Sequence, residues 1–132
     1  MMDVRNAMAR IAIVDDSRLA RTYSATCLRK AGHEVVEVDP LSIFDVLKSL
    51  RADPPELLLM DYLMPGCPGA SLVRACREDP ALKEIPILVI TAHHDEAVQE
   101  RLARMGSLSF LHKPFEPQAL QDEAERLLAG ED

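Results

Sequence analysis

The 132-residue sequence contains no tryptophan, no basic stripe, no paired-cysteine spacing and no apolar run longer than a strand. Each absence excludes something. Cys27, Cys67 and Cys76 are odd in number and lack CxxC spacing, which argues against a disulfide framework and against a zinc site. They read as thiols packed in a reducing compartment, with Cys67 set apart by its place in the loop just after Asp61. A formal net charge of -7 excludes direct nucleic-acid binding, which draws its affinity from clustered Lys and Arg. The apolar runs fall well short of the roughly 20 residues a membrane-spanning helix needs, so no membrane association is expected. Asp3, Arg5 and Asn6 interrupt the N-terminus and leave no signal-peptide hydrophobic region. A cytoplasmic protein is the simplest expectation.

What is present fits one soluble globular domain, with 48% apolar and 28% charged residues. Within it, four short apolar runs each end in a reactive polar residue. Ile11-Ala12-Ile13-Val14 runs into Asp15-Asp16, and Leu57-Leu58-Leu59-Met60 into Asp61. Ile87-Leu88-Val89-Ile90 delivers Thr91, and Leu108-Ser109-Phe110-Leu111-His112 delivers Lys113 before Pro114.

Apolar runs alternate with helical patterns from about Arg10 to Leu128, the signature of βα units on a parallel sheet. Strands are expected at Ile11–Val14, Glu34–Val38, Leu57–Met60, Ile87–Ile90 and Leu108–Leu111, with the charge-bearing Glu34–Val38 at an edge. A first helix, capped by Ser17 and stopped at Gly32, shows helical spacing at Leu19, Tyr23, Thr26, Cys27 and Lys30. A second opens at Ser42 and ends before Asp53-Pro54-Pro55, and a third covers roughly Gly69 to Glu78. The fourth starts near Asp95, carries Ala97, Val98, Leu102 and Met105, and stops at Gly106. The last begins near Pro117 and buries Leu120, Ala124, Leu127 and Leu128, while Gln121–Glu125 reads as a solvated acidic face. The domain is expected over residues 10–129, with 1–9 and 130–132 as flexible termini.

In a sheet of this class, ligands bind outside the carboxyl ends of the strands, at the point where strand order reverses. All the reactive residues lie at such ends. Three converging carboxylates raise one another's pKa unless a cation compensates them. Magnesium suits an all-oxygen donor set, which it binds at about 2.1 Å while keeping several waters. A carboxylate beside it can attack phosphorus to give an acyl phosphate, and Lys113 and the Thr91 hydroxyl can compensate the phosphoryl oxygens. Asp61, alone on the middle run, is the best nucleophile; Asp15 and Asp16 are better placed as metal ligands.

Asp15-Asp16-Ser17, Asp61 with Met64-Pro65-Gly66, Thr91-Ala92 and Lys113-Pro114-Phe115 together resemble the receiver domain of two-component response regulators, of the stand-alone chemotaxis-regulator kind. The resemblance spans nearly the whole chain. It implies a flavodoxin-like doubly wound (βα)5 fold with strand order 2-1-3-4-5. It also implies that Asp61 accepts a phosphoryl group from the phosphohistidine of a sensor histidine kinase or phosphotransfer protein.

By the same resemblance, Asp16 is a direct Mg2+ ligand, Asp15 a ligand through water, and the Leu63 main-chain carbonyl the third protein ligand. Thr91 and Lys113 hold the phosphoryl oxygens, Phe110 is the switch aromatic, and Lys113-Pro114 is often cis. Leu63 and His93 occupy the positions that tune dephosphorylation, and Cys67-Pro68-Gly69 replaces the family's usual turn. Leu63 cannot hydrogen-bond a water, which points to slow self-dephosphorylation; an imidazole at His93 would act in the opposite direction. The kinase side would dock around Arg18, Leu19, Tyr23 and the loop after Lys113. Helix 4, strand 5 and helix 5 would face the downstream protein partner, and a homodimer on phosphorylation is allowed.

Such a chain is a switch and not an enzyme acting on other substrates. The alternatives are a receiver excised from a larger DNA-binding regulator or hybrid kinase, a phosphorylation-independent binding module, and an aspartyl-nucleophile phosphohydrolase. The last usually needs an acid two residues after the nucleophile, where this chain has Leu63.

Overall fold

A computed structural model describes residues 8–92 and 96–130. Strands β1 (Arg10–Val14), β2 (Glu34–Val38), β3 (Leu57–Asp61), β4 (Ile87–Thr91) and β5 (Leu108–His112) form one parallel sheet, ordered β2-β1-β3-β4-β5. Helices α1 (Arg18–Lys30), α2 (Ile43–Ala52), α3 (Gly69–Glu78), α4 (Glu96–Ala103) and α5 (Pro117–Leu128) connect them. This is the flavodoxin-like fold, with Glu34–Val38 at one edge as its charge suggested.

Alternation along the strands divides the core in two, because successive side chains point to opposite faces. Ala12, Val14, Leu58, Met60, Ile87 and Val89 pack with α2, α3 and α4 through Val46, Leu50, Leu72, Val73, Cys76 and Leu102. Ile11, Ile13, Leu57, Leu59, Leu88 and Ile90 pack with α1 and α5 through Ala25, Cys27, Leu28, Leu120, Ala124 and Leu127. Strands covered on both faces have no polar side to spare, which is why these runs read as continuously apolar.

The strand ladders run slightly further than the apolar runs. Asp61 pairs with Ile90 and Thr91 with His112, so both reactive residues close their strands instead of following them. Asp15 lies just outside β1, its N–H making only a long 3.4 Å bond to the Val38 carbonyl.

Residues Leu19 to Lys30 lie on α1 as their helical spacing indicated; the helix buries Ser24, Ala25, Cys27 and Leu28 and leaves Leu19 and Tyr23 exposed, on the surface where docking was expected. Small residues let the helix lie close to the sheet, and they carry no hydrophobic signal in sequence. Two expectations need correction. The helix α4 ends at Ala103 instead of reaching Gly106: Met105 N–H bonds to the Leu102 carbonyl at 2.9 Å in a closing turn, Gly106 follows at a φ of 107°, and the Arg77 guanidinium takes the downstream carbonyls of Met105 and, at 2.8 Å, Ser107. Its expected start, Asp95, lies outside the described residues.

The second correction concerns Gln121–Glu125, which is not simply a solvated face. Gln121 donates to the Cys27 carbonyl at 2.8 Å, Glu123 accepts from Ser109 Oγ at 2.7 Å, and Ala124 is buried. Of the expected flexible termini, residues 1–7 and 131–132 lie outside the described residues. Ala9 is buried, its N–H reaching His33 Nδ1 and its carbonyl accepting from Glu34 N–H.

The elements end where local chemistry stops them. Ser17 caps α1 by accepting from Ala20 N–H, and Gly32 follows its end at a φ of 97°, a conformation glycine adopts without a Cβ clash. Ser42 caps α2 by accepting from Asp45 N–H at 3.1 Å.

Candidate functional site

Strand order reverses at β1, which pairs with β2 on one side and β3 on the other. The crevice above the carboxyl ends of β1 and β3 receives Asp15, Asp16 and Asp61, each with a carboxylate oxygen within 4.8 Å of the others. Asp15 is buried, Asp61 half-buried and Asp16 exposed. Lys113 reaches in from the end of β5, its Nζ 3.3 Å from Asp61 Oδ1. The Lys113-Pro114 bond is cis.

The electrostatics follow from this crowding. Burial pushes the Asp15 carboxyl above its ordinary range, the Asp61 and Asp16 charges add to the rise, and the Ser17 N–H and Lys113 oppose it. The Asp61 carboxyl is likewise raised by burial and by Asp16, with Lys113 as the chief opposing influence. One ammonium therefore does not balance three carboxylates. The donors are all hard oxygens in one crevice, a set that fits a divalent cation such as Mg2+.

The turn carrying Asp15 is held from several sides. Asp15 Oδ1 accepts from Ser17 N–H at 2.9 Å, and the Asp15 carbonyl accepts from Arg21 Nη1 at 2.6 Å. The loop after Asp61 is also fixed. Gly69 N–H donates to the Tyr62 carbonyl at 3.0 Å, and a Cβ on Gly69 would sit 2.7 Å from that oxygen, so only glycine fits. Cys67 is fully buried there and its thiol is pushed up by burial, so it is packing and not a reactive group.

The remaining sequence-nominated residues fall at graded distances from this cluster. Thr91 is buried at the end of β4, and its carbonyl accepts from Lys113 N–H at 2.9 Å. Phe110 is half-buried against the core on the α3–α4 side, in register with Val89 and short of the strand end. Leu63 stands at the rim, 55% exposed. His93 lies outside the described residues.

Beside the acidic crevice, Leu19, Tyr23, Ile90, Lys113, Pro114 and Phe115 line a cleft of about 510 Å³, with the Tyr23 and Phe115 rings 5.9 Å apart. The large apolar residues missing from α1's buried face are found here. Sequence reasoning passed over Arg21. The available signal was a cation near the start of a helix, where the helix dipole disfavours it, five residues after an Asp-Asp pair.

An acidic, all-oxygen crevice lies at the switch point of this doubly wound parallel sheet, with a lysine at its wall, the place where folds of this class bind ligands. The family description "Response regulator receiver domain" matches residues 11–125, and the chain belongs to that family of signalling switches. It is 32% identical over 123 residues to protein PilH of Pseudomonas aeruginosa, covering 93% of this chain and 100% of that protein. It is 35% identical over 118 residues to the cyclic di-GMP phosphodiesterase response regulator RpfG of Xanthomonas campestris pv. campestris, covering 89% of this chain but only 31% of that longer protein. Among solved structures, the receiver domain of sensor histidine kinase PA1611 from Pseudomonas aeruginosa, with a magnesium ion coordinated in its active-site cleft, matches at a TM-score of 0.80. It is 26% identical, and 93% of this chain and 99% of that chain are covered.

Proposed function

We propose that this chain is a phosphorylation-activated switch in which Asp61 takes a phosphoryl group from the phosphohistidine of a sensor histidine kinase or phosphotransfer protein. A bond forms between an Asp61 carboxylate oxygen and phosphorus as the phosphorus–nitrogen bond to histidine breaks. The observation that carries this reading is the half-buried Asp61, with Lys113 Nζ 3.3 Å from its Oδ1 and two further carboxylates within 4.8 Å.

Asp15, Asp16, Asp61 and the Leu63 main-chain carbonyl would hold Mg2+, which supplies charge compensation to the reacting phosphoryl oxygens. Lys113 shares that compensation. The buried Thr91 hydroxyl completes the phosphoryl contacts, and Phe110 responds by repacking on β5. Leu63 offers no hydrogen bond to an attacking water, which favours a long-lived acyl phosphate, and His93 is the counterweight on that rate.

The kinase side would dock on the cleft between α1 and the loop after Lys113, where Leu19, Tyr23 and Phe115 present apolar surface. The phosphorylated form would be read on α4, β5 and α5 by a downstream protein, with a homodimer as a second outcome. No described helix is long and apolar enough to cross a membrane, and we assign the switch to the cytoplasm as a receiver over residues 10–129. We assign it no enzymatic activity beyond its own phosphorylation and dephosphorylation.

The test is to incubate the protein with acetyl phosphate and Mg2+ and measure its mass. One added phosphoryl group, absent without Mg2+ and absent in Asp61→Asn, is expected. No gain, or a gain that persists in Asp61→Asn, would reject the reading.

A further inference from the structure

The first two turns of α1 carry no acidic residue and instead present Arg18 and Arg21, although a helix N-terminus favours anions. Arg21 therefore sits where its charge gains nothing from its own helix. Its side chain is only 13% exposed, which costs a guanidinium much of its hydration. Two partners compensate. Nη1 donates to the Asp15 carbonyl at 2.6 Å, and Nε lies 3.5 Å from Glu37 Oε1 on β2, outside hydrogen-bond geometry. Glu37 also receives Arg29 Nη1 at 3.3 Å.

The short contact is thus the one to the Asp15 peptide, and the alternatives holding that peptide are weak. Asp15 lies beyond the end of the β1 ladder, and even the preceding Val14–Asp15 peptide is held only by a 3.4 Å bond from the Asp15 N–H to the Val38 carbonyl. The Ser17 N–H fixes Asp15 Oδ1 but leaves the peptide plane free to turn. The peptide joining Asp15 to Asp16 is the one whose carbonyl Arg21 holds, so a rotation there would swing both carboxylates relative to Asp61.

From this we propose that Arg21 is a positioning residue for the cation site, clamping the Asp15–Asp16 peptide so that both carboxylates face Asp61. The inference rests on the Mg2+-dependent reading above. It makes a prediction opposite in sign to simple electrostatics. A cation close to the site repels Mg2+, so if charge alone mattered, removing Arg21 would tighten Mg2+ binding. If Arg21 positions ligands, removing it weakens binding, as loss of a residue that orients a metal ligand does, by about tenfold or more.

The test titrates Mg2+ alone, by calorimetry, into the parent chain, Arg21→Met, Arg21→Lys and Glu37→Gln, with metal-free melting temperatures recorded alongside. Methionine keeps the aliphatic stem and removes the donors; lysine keeps one donor. We expect Arg21→Met to weaken binding by about tenfold and Arg21→Lys to stay within about threefold of the parent. Glu37→Gln should lower the melting temperature yet leave Mg2+ affinity within about threefold, a split that a merely structural α1–β2 link would not produce.

Arg21→Met binding Mg2+ as tightly as the parent, or more tightly, overturns the proposal. So does a loss in Glu37→Gln as large as in Arg21→Met. If Arg21→Met does not fold, Arg21→Leu takes its place under the same criteria: a loss of about tenfold supports the clamp, and affinity equal to the parent's or tighter overturns it. Failure of the underlying reading looks different, since the parent itself would then show no Mg2+ binding that Asp16→Asn abolishes.

Discussion

The two sides of the crevice are built differently. On the β1–α1 side, Asp15 is held through its side chain by Ser17 and through its carbonyl by Arg21, and α1 is anchored by four buried residues, Ser24, Ala25, Cys27 and Leu28. On the β4–β5 side, α4 has eight residues and buries only Leu102, with Val98 and Met105 packed partly against the core. Gln99 Nε2 and His112 Nε2, 2.9 Å apart, join α4 to the residue before Lys113. The side proposed to hold the cation is fixed in advance, and α4, on the side proposed to carry the signal outward, is anchored by fewer buried residues. Binding sites need preorganisation, whereas moving elements come from the low-stability end of a fold.

That contrast can be broken most forcefully by cutting the anchors. Leu28→Ala should destabilise the whole domain by about 3 kcal/mol, seen as one cooperative shift in urea unfolding. Leu102→Ala should cost about 2 kcal/mol and act locally, with amide exchange rising first in α4 while β1 and β3 keep their protection. Equal loss of protection across the sheet in both variants would mean that α4 is no looser than α1.

A smaller effect sharpens the electrostatic side. Folding raises the Asp61 pKa, so the folded, metal-free protein binds a proton more readily than the unfolded chain. The associated stability is present below the unfolded value and is lost as pH rises through the raised folded value. Asp79 and Glu123, lowered by Arg51 and Arg126 respectively, act in the opposite sense, so the parent curve alone mixes both. Subtracting it from Asp61→Asn leaves the contribution of Asp61 together with its repulsion of Asp15, which acts in the same direction. Without Mg2+, Asp61→Asn should melt a few degrees above the parent, by a margin that grows with pH across the carboxylate range and then levels off. Saturating Mg2+ should raise the parent's melting temperature and shrink that margin.

How much of this was legible in sequence depended on what kind of contact each residue makes. The sheet and its polar strand ends were legible because strands covered on both faces must be apolar throughout, so the first polar residue marks the exit from the core. The buried face of α1 was not, because Ser24 and Ala25 contribute by being small. Arg21 acts on a main-chain carbonyl, an acceptor every residue has, so nothing in the sequence pattern names its partner. Glu123 was hidden for a related reason: its acidity suggested solvent, and although Arg126 is one turn on in α5, Ser109 joins the pair only after α5 docks on β5. His93 falls outside the described residues, so its influence on rate belongs to the proposal alone.

The central claim is that a phosphoryl group on Asp61 leaves the fixed side in place and is expressed on the loose one. Amide hydrogen exchange of the Mg2+-loaded protein, with and without acetyl phosphate, tests it directly. Phosphorylation should change exchange in α4 and β5, residues 96–112, and leave β1 and α1, residues 10–30, unchanged, with no change anywhere in Asp61→Asn. An equal change in β1 and α1, or one that persists in Asp61→Asn, would contradict the account.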